Sequence, residues 1–269
     1  MKYYIGQVAK LTDLSAAGLR LYEREGVLEA SREDSSGYRY YERLDITALL
    51  RARTYQKYGF QLRKAGMLLN TSDMDYLCES YSELCRTLKQ EILYKQKLLE
   101  HLQRTEYLVR SLPEQLGKIE TAVRPAMYRL DFMHGNQFIL KESQYPVFRE
   151  WFSHAPFTFP SQCNSWSSLL NGEEETSFAI ALFGEDVKSL GLQPLVETAS
   201  YYPPCHCLHT VIRTDETMPS CIQTLKPLLD YVLTNEIPVV GDPVSEVIVS
   251  LNKKTNYTRY RQIWLPIQK

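Results

Sequence analysis

Apolar positions recur at helical spacing through the first 70 residues and are broken by polar or glycine-bearing turns. Val8, Ala9 and Leu11 open one apolar face, and Thr12-Asp13-Leu14-Ser15 reads as a turn. Ser15 is placed to N-cap a second helix from Ala16 to Glu25, which Gly26 ends as a C′ residue. Two short helices joined by a three- or four-residue turn have the form of a helix-turn-helix. A polar cluster, Ser31-Arg32-Glu33-Asp34-Ser35-Ser36-Gly37, leads into Tyr38-Arg39-Tyr40-Tyr41. Aromatics alternating with Arg after a glycine turn predict a small β-wing with a cationic edge. Ile46, Leu49, Leu50, Arg53 and Lys57 outline a third helix before Gly59, and a fourth begins near Leu62.

From Asp75 to Leu112 no Gly or Pro interrupts the chain, and Pro113 is expected to close the segment. Leu77, Tyr81, Leu84, Leu88, Leu98, Leu102, Val109 and Leu112 fall on one seam of alternating four- and three-residue steps. Glu91, Lys95 and Thr105 occupy its remaining positions. A helix of that length runs for about 57 Å at 1.5 Å per residue, too far to bury itself on one small domain. With no second helix of matching length in the chain, an antiparallel coiled coil with a second copy is expected. Glu91 and Lys95 would then face their opposites across the dimer axis.

Beyond Pro113 the texture changes. Alternation marks strands at Met127–Phe132 and Phe178–Phe183, and β-like runs recur at Cys205–Ile212, Glu246–Leu251 and Tyr260–Ile267. Helical stretches lie near Tyr145–Phe152 and Ser220–Thr234. Strand, helix, strand, strand occurs twice, which predicts an internally duplicated αβ domain around one sheet. The chain is thus expected to be α+β, with a winged helix-turn-helix over 1–72, a dimerisation helix over 73–118 and an αβ domain over 119–269.

Composition narrows the class. The 269 residues are 44% apolar and 23% charged, values of a globular protein and not of a disordered one. The N-terminus lacks an apolar signal segment, and no apolar run approaches the roughly 18 residues of a membrane span. The six cysteines follow no disulfide-scaffold spacing, so reduced thiols in the cytoplasm are expected. Net charge is −1, yet residues 1–70 carry 12 Lys and Arg against 8 Asp and Glu, and the remainder 19 against 24. A basic head on an acidic body suggests that only the head meets a polyanion.

The head has residues suited to DNA. Behind the Ser15 cap, Ala16, Ala17 and Gly18 allow close approach to a groove floor. Arg20 and Arg24 lie four apart on one helix face, where they suit phosphate or guanine contact. Tyr38, Arg39 and Tyr40 on the wing, with Lys57, Tyr58 and Arg63 beyond, extend this edge. The bland alternative is a small helical domain with a solvated basic face.

The stretch YYIGQVAKLTDLSAAGLRLYEREGVLEASREDSSGYRYY, from Tyr3 to Tyr41, followed by YQKYGFQL from Tyr55, resembles the DNA-binding domain of the MerR family of regulators. The resemblance covers residues 3–70. It implies a winged helix-turn-helix, a long antiparallel dimerisation helix in a homodimer, and activation of promoters with an over-long spacer by distorting their DNA. The implied partners are double-stranded promoter DNA and RNA polymerase holoenzyme. Most members have two tyrosines before the Glu of the recognition helix; here Leu21 replaces the first and Tyr22 keeps the second.

Residues 120–269 resemble, more weakly, the GyrI-like effector-binding domain of multidrug-sensing regulators, best in TNEIPVVGDPVSEVIVSLN and YTRYRQIWLPI. This resemblance implies recognition of a lipophilic, often cationic, small molecule by an acidic residue ringed with aromatics. Tyr145, Glu246 and Tyr260 carry over as effector contacts, while Gln262 stands where many relatives have Glu. Glu246 is followed by Val247, Ile248 and Val249, so it is expected to sit buried and unpartnered, strained or protonated until a cation arrives. Trp151, Phe152, Phe157, Phe159, Trp166, Tyr201, Tyr202 and Trp264 are candidate walls, each face adding about 0.5–2 kcal/mol of cation–π attraction.

Two rival readings remain. Cys205-His206-Cys207-Leu208-His209 puts residues 205, 207 and 209 on one strand face, a conceivable soft-metal or redox box. Some GyrI-like domains are hydrolases, but no nucleophile–base pair is visible in this sequence. Neither enzyme activity, a cofactor nor a structural metal is expected.

Overall fold

A computed structural model describes residues 2–34, 37–71, 73–215, 221–253 and 256–269. Ser35 and Ser36 of the expected turn, and Ser220 at the head of the expected last helix, lie outside the described residues. The chain divides into two compact units, Met1–Ile92 and Leu93–Lys269.

The first unit opens with β1 (Tyr3–Tyr4), α1 (Ile5–Thr12) and α2 (Ala16–Arg24). β2 (Ser31–Arg32), β3 (Arg39–Tyr41), α3 (Arg43–Tyr58) and α4 (Leu62–Asn70) follow, and α5 (Met74–Gln115) begins here. The Ser15 hydroxyl accepts the Gly18 N–H at 3.0 Å, the expected N-cap. Past the end of α2, Gly26 adopts a φ of 73°. The wing is an antiparallel sheet in the order β1-β3-β2, with Tyr3 opposite Tyr41; the alternating pattern did not mark β1. Val8, Leu19, Tyr41, Leu49, Ala52, Tyr55 and Leu68 form the core. The buried face of α1 is Val8 with Thr12, whose hydroxyl satisfies itself on the Val8 carbonyl, while Leu11 is exposed. The α4 backbone passes so close to the end of α2 that a Cβ on Gly66 would stand 2.2 Å from the Glu25 carbonyl oxygen.

The second unit contains the rest of α5 and an antiparallel sheet. Its elements are β4 (Ile119–Arg124), β5 (Met127–His134), β6 (Gln137–Phe138), α6 (Tyr145–Ser153), β7 (Thr158–Asn164), α7 (Trp166–Leu170) and β8 (Thr176–Phe183). Then come α8 (Gly184–Leu190), β9 (Ser200–Tyr202), β10 (Cys205–Asp215), α9 (Cys221–Thr234), β11 (Val244–Lys253) and β12 (Asn256–Pro266). The sheet order is β4-β10-β12-β11-β7-β8-β5-β6, with β9 on β5. Within it β5-α6-β7-β8 and β10-α9-β11-β12 are two strand–helix–strand–strand units that meet through β7 and β11. This is the expected duplication. α9 covers Leu208, Ile212, Ile263 and Leu265, and α6 packs its Trp151 with Leu130, Ile180 and Leu182. Residues alternating with these, among them Cys207, Trp264 and Ala181, point to the sheet's other face.

α5 departs from expectation twice. It does not stop at Pro113 but runs to Gln115. Only the bond to the Val109 carbonyl is forgone there, and Leu116 N–H regains the ladder on the Leu112 carbonyl at 3.0 Å. The single seam also divides. Leu98 packs into the core around Trp151 and Phe157, and Leu112 is buried, whereas Leu88, Leu102 and Val109 are exposed together with Ile92 and Leu99. The exposed five fall on their own four-and-three spacing, with Lys95 and Glu106 filling it. One face of the helix serves the chain's own core, and the neighbouring face carries the unpartnered apolar residues.

Candidate functional site

In the first unit α2 presents Ala17, Arg20 and Arg24 on its exposed side, behind the Ser15–Gly18 cap. Tyr38 on the wing is exposed; Tyr40 is half-buried with Lys2 over its ring at 4.5 Å, and Lys57 lies exposed on α3. Arg39 is fixed by Glu23, Nε to Oε2 at 3.4 Å, and the Tyr41 hydroxyl donates to the other Glu23 oxygen at 2.7 Å. This pairing ties the wing to α2. Burial, then the Glu23 bond, pushes the Tyr41 phenol well above its ordinary value. Tyr22 differs from the others: it is 7% exposed, and its hydroxyl donates to Gln56 Oε1 at 2.6 Å. It supports α2 from beneath, and the spacing of Arg20 and Arg24 did not reveal that.

The second unit gathers its polar site on the sheet face away from α9. Glu246 on β11 is 4% exposed and stands opposite Gln262 on β12. Tyr260, two residues before Gln262, shares that face across a β-bulge between Val247 and Val249. Tyr145, at the start of α6, is exposed, and no hydrogen bond joins it to Glu246 among the described residues. Of the candidate walls, Phe159 and Trp264 cluster with Met127 and Phe183 beside this face, with Tyr202 at their edge. Trp151 and Phe157 belong to the core under α6. Trp166 packs with α9, and Phe152 and Tyr201 are exposed.

Glu246 is not unpartnered, and this corrects the sequence expectation. Arg104 of α5 reaches it with both terminal nitrogens, Nη1 to Oε1 at 2.7 Å and Nη2 to Oε2 at 2.6 Å. The Gln262 amide donates a further short bond to Oε2. Gln262 Oε1 faces His209 Nε2 at 3.2 Å, and His209 Nδ1 is 3.7 Å from Glu120. The Arg104 guanidinium lies 5.0 Å from the Phe183 ring centroid. Burial alone would lower its pKa, but the bonds to Glu246 outweigh that and raise it. His101, one turn earlier, is held down by burial and then by Arg104. Nothing in the run Glu246-Val247-Ile248-Val249 could announce a cation supplied from 142 positions away.

Beside Arg104 opens a cavity of about 270 Å³ lined in part by Lys97, His101, Phe183, Glu185 and Asp186. Burial, then Glu185, raises the Asp186 carboxyl above its ordinary range, opposed by Lys97 and Arg104. Phe183, Arg104 and Asp186 were all missed in the sequence. Phe183 was read only as a strand residue, and Arg104 sits off the apolar seam of a helix rich in charge.

The cysteine box does not assemble. Cys205 and Cys207 sulfurs approach to 3.3 Å, but the His209 ring turns to Gln262 and lies 5.9 Å from the Trp264 ring. Burial, then the bond to Cys205, pushes the Cys207 thiol up to about 12. Among the described residues no three His, Cys, Asp or Glu side chains are grouped to hold a metal ion. No helix there is long and apolar enough to cross a membrane.

A capped second helix beside a three-stranded wing, with arginines on its outer side, defines a winged helix-turn-helix DNA-binding protein. The family model described as MerR HTH family regulatory protein matches residues 3–72. The HTH-type transcriptional regulator CueR of Vibrio cholerae is 32% identical over 105 residues, 36% of this chain and 76% of that protein. The mercuric resistance operon regulatory protein of Bacillus cereus is 28% identical over 119 residues, 43% of this chain and 86% of that protein. The chain belongs to the MerR family of DNA-binding transcription regulators. Among solved structures, EcmrR in a DNA complex covers 99% of this chain and all of its own length, at 15% identity and a TM-score of 0.35.

Proposed function

We propose that the chain is a ligand-responsive transcription activator, in which a GyrI-like second unit takes a lipophilic, cationic small molecule at Glu246. In this reading residues 1–72 bind promoter DNA, 73–118 dimerise and 119–269 hold the effector. Ser15, Ala17, Gly18, Arg20, Arg24, Tyr38, Arg39, Tyr40 and Lys57 form the DNA face, backed by Tyr22. Binding distorts a promoter whose spacer is too long, so that RNA polymerase holoenzyme can engage it. The homodimer forms along the exposed stripe of α5, which leaves several leucines without cover in one chain.

The observation that carries the effector reading is a carboxylate 4% exposed on a strand face beside Phe183, Phe159 and Trp264. Such a group demands a cation, a demand that Arg104 meets in the free chain, and it stands where aromatic faces add to a cation's attraction. Tyr260 shares the strand face and is assigned to the same site.

A thermal-shift screen of lipophilic cations against neutral analogues of the same shape tests this, because a ligand bound to the native state raises the melting temperature. Glu246→Gln should cost a cation about 2–5 kcal/mol of affinity and leave the neutral analogue nearly unchanged. Equal losses for both would show that Glu246 shapes the site without recognising charge.

A further inference from the structure

We propose that Arg104 is a tethered occupant of the cation site, holding the place that a free planar cation, an aromatic amidinium or guanidinium, takes on binding. The inference rests on the reading of Glu246 as the effector anchor and says how that anchor selects.

Both Glu246 oxygens are engaged by parallel donors at 2.7 and 2.6 Å, and Gln262 adds a third bond to one of them. With three of about four acceptor sites taken on a carboxylate that is 4% exposed, a planar two-donor cation engages both oxygens only by displacing one of these groups. Gln262 is buried on a central strand and tied to His209. Arg104 is the movable partner: its side chain is 37% exposed, where that of Glu246 is 5% exposed, and it ends a long, rotatable stem on a helix.

The shape of the vacated place follows from what fills it. It is a flat slot with two parallel acceptors at its end and the Phe183 ring 5.0 Å from the cation's centre. A benzamidinium or aryl guanidinium reproduces both N–H bonds and the stacking, whereas a quaternary ammonium or phosphonium has no N–H, leaving Oε1 without a donor and Oε2 with Gln262 alone. The cavity of about 270 Å³ beside Arg104 gives room for the aromatic part of such a ligand.

The same cavity wall supplies a second harbour. Asp186 lines it and already feels the Arg104 charge, and its carboxyl is raised chiefly by burial. A guanidinium swung away from Glu246 therefore finds another carboxylate in need of a cation. Exchange of this kind leaves neither Glu246 nor the displaced guanidinium without an opposite charge, which keeps displacement within reach of a small ligand.

The test uses the full-length protein as wild type, Arg104→Gln, Arg104→Lys, Glu246→Gln and the Glu246→Gln/Arg104→Gln double variant. Benzamidinium, phenyltrimethylammonium and neutral benzamide are titrated by calorimetry and thermal shift. Arg104→Gln should bind benzamidinium about tenfold or more tighter than wild type, with benzamide unchanged and the gain lost in the double variant. Arg104→Lys, a point charge without the fork, should fall between them. Wild type should prefer benzamidinium to phenyltrimethylammonium.

Should removal of the guanidinium destabilise the fold, methylguanidinium should restore the Arg104→Gln melting temperature while tetramethylammonium does not. Unchanged or weaker benzamidinium binding by Arg104→Gln, with Glu246→Gln still costing cation affinity, overturns the tethered occupant and leaves the Glu246 anchor standing. A gain that survives in the double variant overturns both, as does failure of every cation, methylguanidinium included, to bind wild type or Arg104→Gln.

Discussion

The two units use arginine in opposite ways. In the first, Arg20 and Arg24 stand exposed on the outer side of α2, and Arg20 forms no ion pair among the described residues. In the second, Arg129 is fully buried, donating to Asp131 at 3.1 Å, to Ser177 at 3.3 Å and to the Tyr202 hydroxyl at 3.4 Å. Arg124, also buried, donates to the Pro203 carbonyl at 2.8 Å, and Arg104 clasps Glu246. A guanidinium is too costly to bury without partners, so each buried one is built into the fold. An exposed guanidinium keeps its hydration until a polyanion replaces it. The outer face of α2 keeps its charge for an outside partner, while Arg104, Arg124 and Arg129 of the second unit spend theirs internally.

The sharpest way to break this contrast is to remove one arginine from each unit. Arg129→Ala should destabilise the second unit by about 3–5 kcal/mol, because a fully buried side chain bonded to Asp131, Ser177 and Tyr202 is replaced by a void. Chemical denaturation followed by tryptophan fluorescence reads this directly, since all three tryptophans lie in residues 93–269. A loss under about 1 kcal/mol would mean that the ion pair adds little beyond an apolar filler.

Next in size is the effect on association. Ile92→Lys with Leu99→Lys places charge on the exposed stripe of α5 and should convert dimers to monomers in sedimentation, with loss of operator binding. Leu98→Lys should instead damage the core around Trp151, because that leucine faces inward. If the Ile92 and Leu99 pair still sediments as a dimer, the stripe is not the interface.

Ser15→Ala should cost about 1 kcal/mol of first-unit stability by orphaning the Gly18 N–H at the head of α2. An unchanged denaturation midpoint for that unit would assign the cap no net contribution.

Smallest in stability is Arg20→Ala, expected within about 0.5 kcal/mol of wild type. Operator affinity should nonetheless fall, and a phosphate contact would lower the salt slope by about one unit. If affinity holds while stability drops, the contrast between the units collapses.

Local signals carried much of this architecture. Ser15 and Gly26 mark the ends of α2 because capping depends on neighbours within one turn. The five runs of alternating or continuous apolar residues became β5, β8, β10, β11 and β12, since sheet faces impose a period of two. The weaker strand β7, with its polar Ser161, Gln162 and Asn164, gave no such signal; pairing with β8 along its length makes it a strand. β4 was likewise hidden, its alternation too short to separate from the end of α5.

The candidate site was half legible. Glu246 stood out as a carboxylate beside three apolar neighbours, and Phe159 and Trp264 were among the aromatics named for its walls. Arg104 did not, because a charged residue on a long helix resembles every solvated charge around it. Tyr22 looked like a contact residue until its hydroxyl proved committed to Gln56.

By itself, then, the sequence determined the helix-turn-helix, the presence of the long helix α5 and the duplicated strand–helix–strand–strand pattern, all products of short-range spacing and chain chemistry. Only the tertiary structure decided which face of α5 turns inward and which cation meets Glu246. Those depend on where residues far apart in sequence converge, and electrostatic pairing in a buried place is fixed by that convergence and not by local pattern.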